Sequence, residues 1–153
     1  MAKKINRRSF IKKIILGIAG IEVGYLVYDT MQNKLVNDNK NSLFSAGKIN
    51  SFEKNRIYPF TSEKFYLSVS DDGGFLAVSI KCTHLGCMVQ AKNNRLECPC
   101  HASIFDKHGE VLSPPATRPL DIFPVIIDKG EILVDTQSPV RRKSFDKSQI
   151  TYA

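Results

Sequence analysis

The stretch from Cys82 to His101 carries all four cysteines and two of the three histidines of a 153-residue chain. They fall into two boxes, "CTHLGC" and "CPCHAS". A disulfide framework uses cysteines without histidines, and a closed zinc site uses four ligands where this stretch offers six. Cys82 and His84 form one two-residue claw, and Cys98 and His101 form another. Each claw can hold one metal ion or one edge of a binuclear cluster. In a binuclear iron cluster, thiolates suit the buried ferric ion. Neutral imidazoles suit the iron nearer the surface, because they remove negative charge and raise the potential. A tetrahedral zinc site made from the same claws is the alternative. Cys87 and Cys100 stand at matching positions beside the claws, and outside the cytoplasm they can form a disulfide that clamps the two loops together.

Around this stretch the texture is β. "KFYLSVS" and "FLAVSI" are rich in β-branched and aromatic residues, and "DDGG" (Asp71 to Gly74) between them predicts a hairpin turn. "FPVIID" and "EILVD" repeat the form around Asp128 to Gly130. Asn93–Asn94 and Lys107 to Gly109 read as turns inside the ligand-bearing stretch, with His108 as a solvated loop residue. No window past the N-terminal segment has a clear helical period. The expected architecture is a mainly β domain of antiparallel sheets over residues 47–137. A small ligand-bearing unit, residues 80–119, is inserted between its two hairpins. The Asn-rich residues 33–46 read as a flexible tether, and the polar, basic residues 138–153 as a tail on the surface.

The net charge of +7 is concentrated at the N-terminus: Lys3, Lys4, Arg7, Arg8, Lys12 and Lys13 precede residue 14 with no acid among them. A nucleic-acid interface needs its charge on the folded domain, so that class is excluded. Residues 1–32 instead read as an export leader and membrane anchor: a basic flank, then an apolar run from Ile14 to Tyr28 broken by Glu22. "NRRSFIKK" resembles the twin-arginine translocation motif through Arg7, Arg8, Phe10, Ile11 and Lys12. Residues 11–28 reach ~27 Å as a helix, enough to span with slight thinning of the bilayer. No small-x-small cleavage site and no lipobox cysteine follow. The expectation is one uncleaved N-terminal span in the cytoplasmic membrane, with everything after Tyr28 on the outer side. No Gly-rich phosphate loop and no credible Ser/His/Asp set is present.

The two boxes together resemble the Rieske iron–sulfur proteins, in particular those of cytochrome bc-type quinol-oxidising complexes. The resemblance covers roughly residues 75–135. It implies one [2Fe–2S] cluster held by Cys82, His84, Cys98 and His101, and a disulfide between Cys87 and Cys100. It further implies that Leu85 shields the cluster and that "SPPATRP" (Ser113 to Pro119), with Pro114 and Pro115, is the loop that covers it. Ser103 matches a serine that donates to a cluster sulfide. Two departures stand out. Ala102 replaces a glycine, tolerable if its φ is negative. Phe105 replaces a tyrosine found in many high-potential members, which removes a donor and lowers the expected potential, as suits a quinol such as menaquinol.

The function implied by the resemblance is electron transfer. Quinol at a cytochrome b partner would meet His101, which takes the proton, and the electron would pass on to a c-type cytochrome. The chain would be the iron–sulfur subunit of a quinol:cytochrome c oxidoreductase and not an enzyme by itself. The small subunit of an arsenite-oxidase-type molybdoenzyme and a standalone Rieske electron carrier are the alternatives.

Overall fold

A computed structural model describes residues 11, 16–18, 20–31 and 43–153. Arg7, Arg8 and residues 33–42 of the expected tether lie outside the described residues. The chain divides after residue 41 into two units. In the first, residues 20–31 are helical and expose Ile21, Val23, Leu26, Val27 and Tyr28. Among the described residues no helix is long and apolar enough to cross a membrane. Twelve residues rise only ~18 Å, and Glu22 and Asp29 interrupt their apolar character.

The second unit is built from eleven strands. They are β1 (Leu43–Lys48), β2 (Arg56–Phe60), β3 (Phe65–Val69), β4 (Phe75–Ser79), β5 (Gln90–Lys92), β6 (Arg95–Glu97), β7 (Ile104–Phe105), β8 (Val111–Ser113), β9 (Ile122–Phe123), β10 (Val125–Asp128) and β11 (Glu131–Asp135). Their order is β1-β11-β10 in one sheet, β2-β3-β4-β9 in a second and β5-β6-β7-β8 in a third, with every pairing antiparallel. Both expected hairpins are present, β3–β4 and β10–β11, and the third sheet lies between them in sequence. Asn93 and Asn94 both take positive φ (50° and 60°), the conformation a two-residue hairpin needs. Residues 43–46, expected in the tether, belong to β1 and pair with β11. Phe44 packs edge-on against Phe60 and Phe65, so the strand has an apolar reason to dock.

β3 and β4 are buried along their whole length. Their side chains alternate between two cores, as strand geometry requires. Phe65, Leu67, Val69, Phe75 and Ala77 enter the core shared with β11. Tyr66, Leu76, Val78 and Ile80 enter the other, together with Leu96, Phe105, Leu120, Cys82 and Cys98. The ligand-bearing sheet therefore has no separate interior. It closes over one face of the base sheet, and its two reduced cysteines are part of that shared core.

The tail does more than cover the surface. Thr151 pairs with Phe75 and Val140 with Ile122. Arg142 is only 6% exposed. Its guanidinium donates to Leu120 O and Gln149 Oε1, each at 2.8 Å, and to His108 O. Burial pushes its pKa down, while Glu110, Asp106 and Asp121 pull it up. His108 is not a solvated loop residue. Its ring stacks on Phe145 at 4.3 Å, and Nδ1 lies 3.5 Å from Asp106 Oδ2. The stacking partner comes from the tail, 37 positions along the chain, and nothing local announces it. Arg142→Lys keeps the charge but loses the planar fork. It is expected to destabilise the domain by about 2 kcal/mol, read as a lower urea midpoint at constant slope. A midpoint within error of wild type would mean that the fork contributes nothing.

Candidate metal centre

The two boxes fold into loops closed by the same pair of backbone hydrogen bonds. In the first, Gly86 N donates to Cys82 O (2.9 Å) and Cys82 N to Cys87 O (2.7 Å). In the second, Ala102 N donates to Cys98 O (3.0 Å) and Cys98 N to Ser103 O (2.8 Å). Each closure turns the chain through a left-handed residue, Gly86 at φ 83° and Ala102 at φ 60°. The condition under which alanine would be harmless, a negative φ, is thus not met. A Cβ in this region costs roughly 1–2 kcal/mol, partly offset by the lower chain entropy of alanine when unfolded. Ala102→Gly is expected to stabilise the domain by about 0.5–1 kcal/mol and raise Tm by a few degrees. A lower Tm would show that the methyl group gains more in contacts than it costs in strain.

The loops bring all six candidate side chains together. Cys87 and Cys100 are bonded, with an S–S distance of 2.09 Å. The sulfurs of Cys87, Cys98 and Cys100 lie within 4.8 Å of one another, but two of them are spent on the disulfide, so this trio is not a ligand set. Cys82 and Cys98 remain as free, buried thiols. Burial pushes the Cys82 thiol up, and the neighbouring Cys98 adds to this. The His84 backbone and the Ser103 side chain hydrogen-bond to Cys82 and pull the other way. The imidazoles of His84 and His101 meet edge-to-face, centroids 4.8 Å apart. His84 is half-buried and its Nδ1 is a buried nitrogen without a hydrogen-bond partner, whereas His101 is exposed.

The chain around the loops braces them. Ser103 is fully buried, and its Oγ accepts from Ala116 N at 3.0 Å. Thr83, between the two residues of the first claw, donates to Arg118 O at 2.7 Å. The loop from Ser113 to Pro119 is thereby fastened to both ligand loops. Pro114 within it is exposed and Pro115 half-buried. Arg118 in turn pairs with Asp121 at 2.5 Å. Leu85, next to His84 in the chain, is 70% exposed, and Met88, at the end of the first loop, is 65% exposed. Phe105 is fully buried in the core that holds Cys82 and Cys98. Thr83, Arg118 and Tyr66 lie outside the two boxes' donor residues and match no motif. Only Tyr66 gave a signal: a buried strand tyrosine needs a partner for its hydroxyl.

Residues 41–124 match the family described as Rieske [2Fe-2S] domain. The chain belongs to this family. The Rieske domain carries a [2Fe–2S] cluster and transfers electrons. Among its relatives is the cytochrome b6-f complex iron-sulfur subunit of Chlorobaculum tepidum, 31% identical over 84% of this chain and 75% of that protein. The chloroplastic cytochrome b6-f complex iron-sulfur subunit of Bigelowiella natans is 38% identical over 61% of this chain and 38% of its own length. Among solved structures, a chain of a hyperthermophilic respiratory Complex III superposes with a TM-score of 0.57 at 19% identity, covering 81% of this chain and 98% of that one. That likeness shows the fold.

Proposed function

We propose that Cys82 and Cys98 hold one iron of the cluster, and His84 and His101 the other, in the iron–sulfur subunit of a cytochrome bc- or b6f-type quinol oxidoreductase. The observation that carries the ligand assignment is the buried, unpartnered Nδ1 of His84. A buried polar atom without a partner is costly, and a metal bond is what relieves it. Two buried reduced thiols and two adjoining imidazoles are the donor chemistry of a Rieske centre. When bound, the cluster supplies one-electron redox chemistry at a raised potential.

The remaining roles belong to side chains of this chain. His101 is the exposed imidazole, so its ring nitrogen not bound to metal is the one offered to the hydroxyl of quinol and the one that takes the proton. Leu85, exposed beside His84, is the apolar shield on the outer side of the centre, and Pro114 and Pro115 belong to the loop that covers it. Buried Ser103 and Phe105 set the polarity on the thiolate side. The names of the relatives support cytochrome b and a c-type cytochrome as partners; menaquinol suits the missing tyrosine donor at Phe105. Residues 1–32 would anchor the subunit in the cytoplasmic membrane after twin-arginine export through Arg7 and Arg8, and the Rieske domain would stand on the outer side. The apolar side chains exposed along residues 20–31 support an anchor.

The purified full-length protein is expected to contain about two irons and two sulfides, with the EPR signature of mixed Cys/His ligation. His84→Ala should abolish that signature while leaving the disulfide intact. Zinc in place of iron, or an all-cysteine spectrum, would refute the assignment. Export should stop when Arg7 and Arg8 are both changed to Lys; unimpeded export would refute the twin-arginine route.

A further inference from the structure

Tyr66 shares a core with Cys82 and Cys98, and its hydroxyl is built into the strand that leads out of the first claw. The ring stands on β3 among the residues of the site-side core and is 5% exposed. Its Oη donates to Val89 O at 3.0 Å and accepts from Ala91 N at 3.2 Å. One hydroxyl thus straddles Gln90, where the first ligand loop becomes β5. That strand is also tied by Val89 N to Ile80 O and by the Lys81–Met88 bridge, and the disulfide at Cys87 joins it to the second loop. β5 then pairs with β6, whose end leads into Cys98. The position of this strand therefore contributes, with the disulfide and the proline loop, to how far the Cys82–His84 claw sits from the Cys98–His101 claw.

We propose that Tyr66 is a positioning residue for the metal centre: through Val89 and Ala91 it anchors the outgoing strand of the first ligand loop to the base sheet, and so sets the separation of the two claws. The ring contributes burial that phenylalanine would reproduce, so the hydroxyl is the part with this role. Val89 is buried, and its carbonyl loses its donor if the hydroxyl is removed. The inference rests on the ligand assignment proposed above.

The test uses the full-length, cluster-loaded protein. Tyr66→Phe is expected to release iron to a chelator about tenfold faster than wild type, equivalent to ~1.4 kcal/mol. Its EPR g-values should also move, because the geometry of the two claws changes. Val78→Ala is the control, since Val78 is fully buried in the same core and faces Tyr66 across the β3–β4 pair. It should lower Tm while leaving the release rate and g-values at wild-type values. If Tyr66→Phe lowers Tm but keeps wild-type release and g-values, the residue is merely structural and the proposal is overturned. Equal acceleration by Val78→Ala overturns it as well. Hydrogen exchange on the wild-type protein provides a measurement that needs no variant. Ala91 is exposed, so its amide should be slow only if the tyrosine hydroxyl holds it; fast exchange there would sink the idea. Wild-type protein without the iron signature would overturn the ligand assignment and this inference together. A loaded wild type with an unchanged Tyr66→Phe would overturn this inference alone.

Discussion

Replacing Cys87 with serine is expected to cost the Rieske domain about 3 kcal/mol. The bond to Cys100 closes a loop with a sequence separation of 13, and loops of about that length lose roughly this much denatured-state entropy when closed. The cost should appear as a lower urea midpoint. The effect on the metal centre should be larger in kind. The disulfide is the covalent tie between two loops that are otherwise joined by noncovalent contacts: the proline loop, by Thr83 to Arg118 O and Ala116 N to Ser103 Oγ, the His84–His101 ring contact and the β5–β6 pair. Without it, the two claws separate more readily, and iron loss to a chelator should accelerate at least tenfold. Cys100 is exposed, so the variant also gains a reactive thiol, which is blocked in the double change with Cys100→Ser. If the double variant keeps both its midpoint and its cluster lifetime, the clamp has no role.

Ser103→Ala should lower the reduction potential by several tens of millivolts, up to ~100 mV. The hydroxyl oxygen accepts from Ala116 N, which leaves its proton free to donate, and its bond to Cys82 lowers the thiol pKa, so it favours negative charge on that sulfur. Reduction adds negative charge at the cluster, so the same donor stabilises the reduced state more. A hydrogen bond to a charged group contributes ~1.5–3 kcal/mol. For a one-electron couple ~1.4 kcal/mol is tenfold and tenfold is ~59 mV, which gives the stated range after allowing for partial charge on the sulfur. The same substitution leaves Ala116 N–H buried without a partner, so Tm should fall too. Phe105→Tyr is the opposite experiment. Phe105 is fully buried in the core that contains both reduced cysteines, so a new hydroxyl must either reach a sulfur or overpack. The first outcome raises the potential. Voltammetry of the purified protein separates the two effects from stability. A Ser103→Ala potential equal to wild type would remove the serine from the tuning of the centre, and a silent Phe105→Tyr would remove the basis for a low-potential quinol.

The chemistry of the centre was legible in the sequence because ligation is written in residue types. Two thiols and two imidazoles at fixed short spacings leave few metals and fewer cluster types. The hairpins were legible for a similar local reason: Asn93–Asn94 and the Gly-bearing turns take backbone angles that few other residues tolerate. What the sequence could not decide depended on partners far along the chain. Ala102 could not announce its positive φ by its own residue type; the glycine of the resembled family at that position was the sign, and the angle is imposed by the closure of Cys98 against Ser103. His108 looked like a solvated turn residue until Phe145 and Arg142 arrived from the tail. Tyr66, a tyrosine in an apolar strand, signalled that its hydroxyl needs a partner but not which one. Only the docking of the inserted sheet on the base sheet gave its hydroxyl two backbone partners, 23 and 25 positions away. Local composition determined which donor groups the chain offers to a metal; long-range packing decided the loops, strands and buried partners among which they sit.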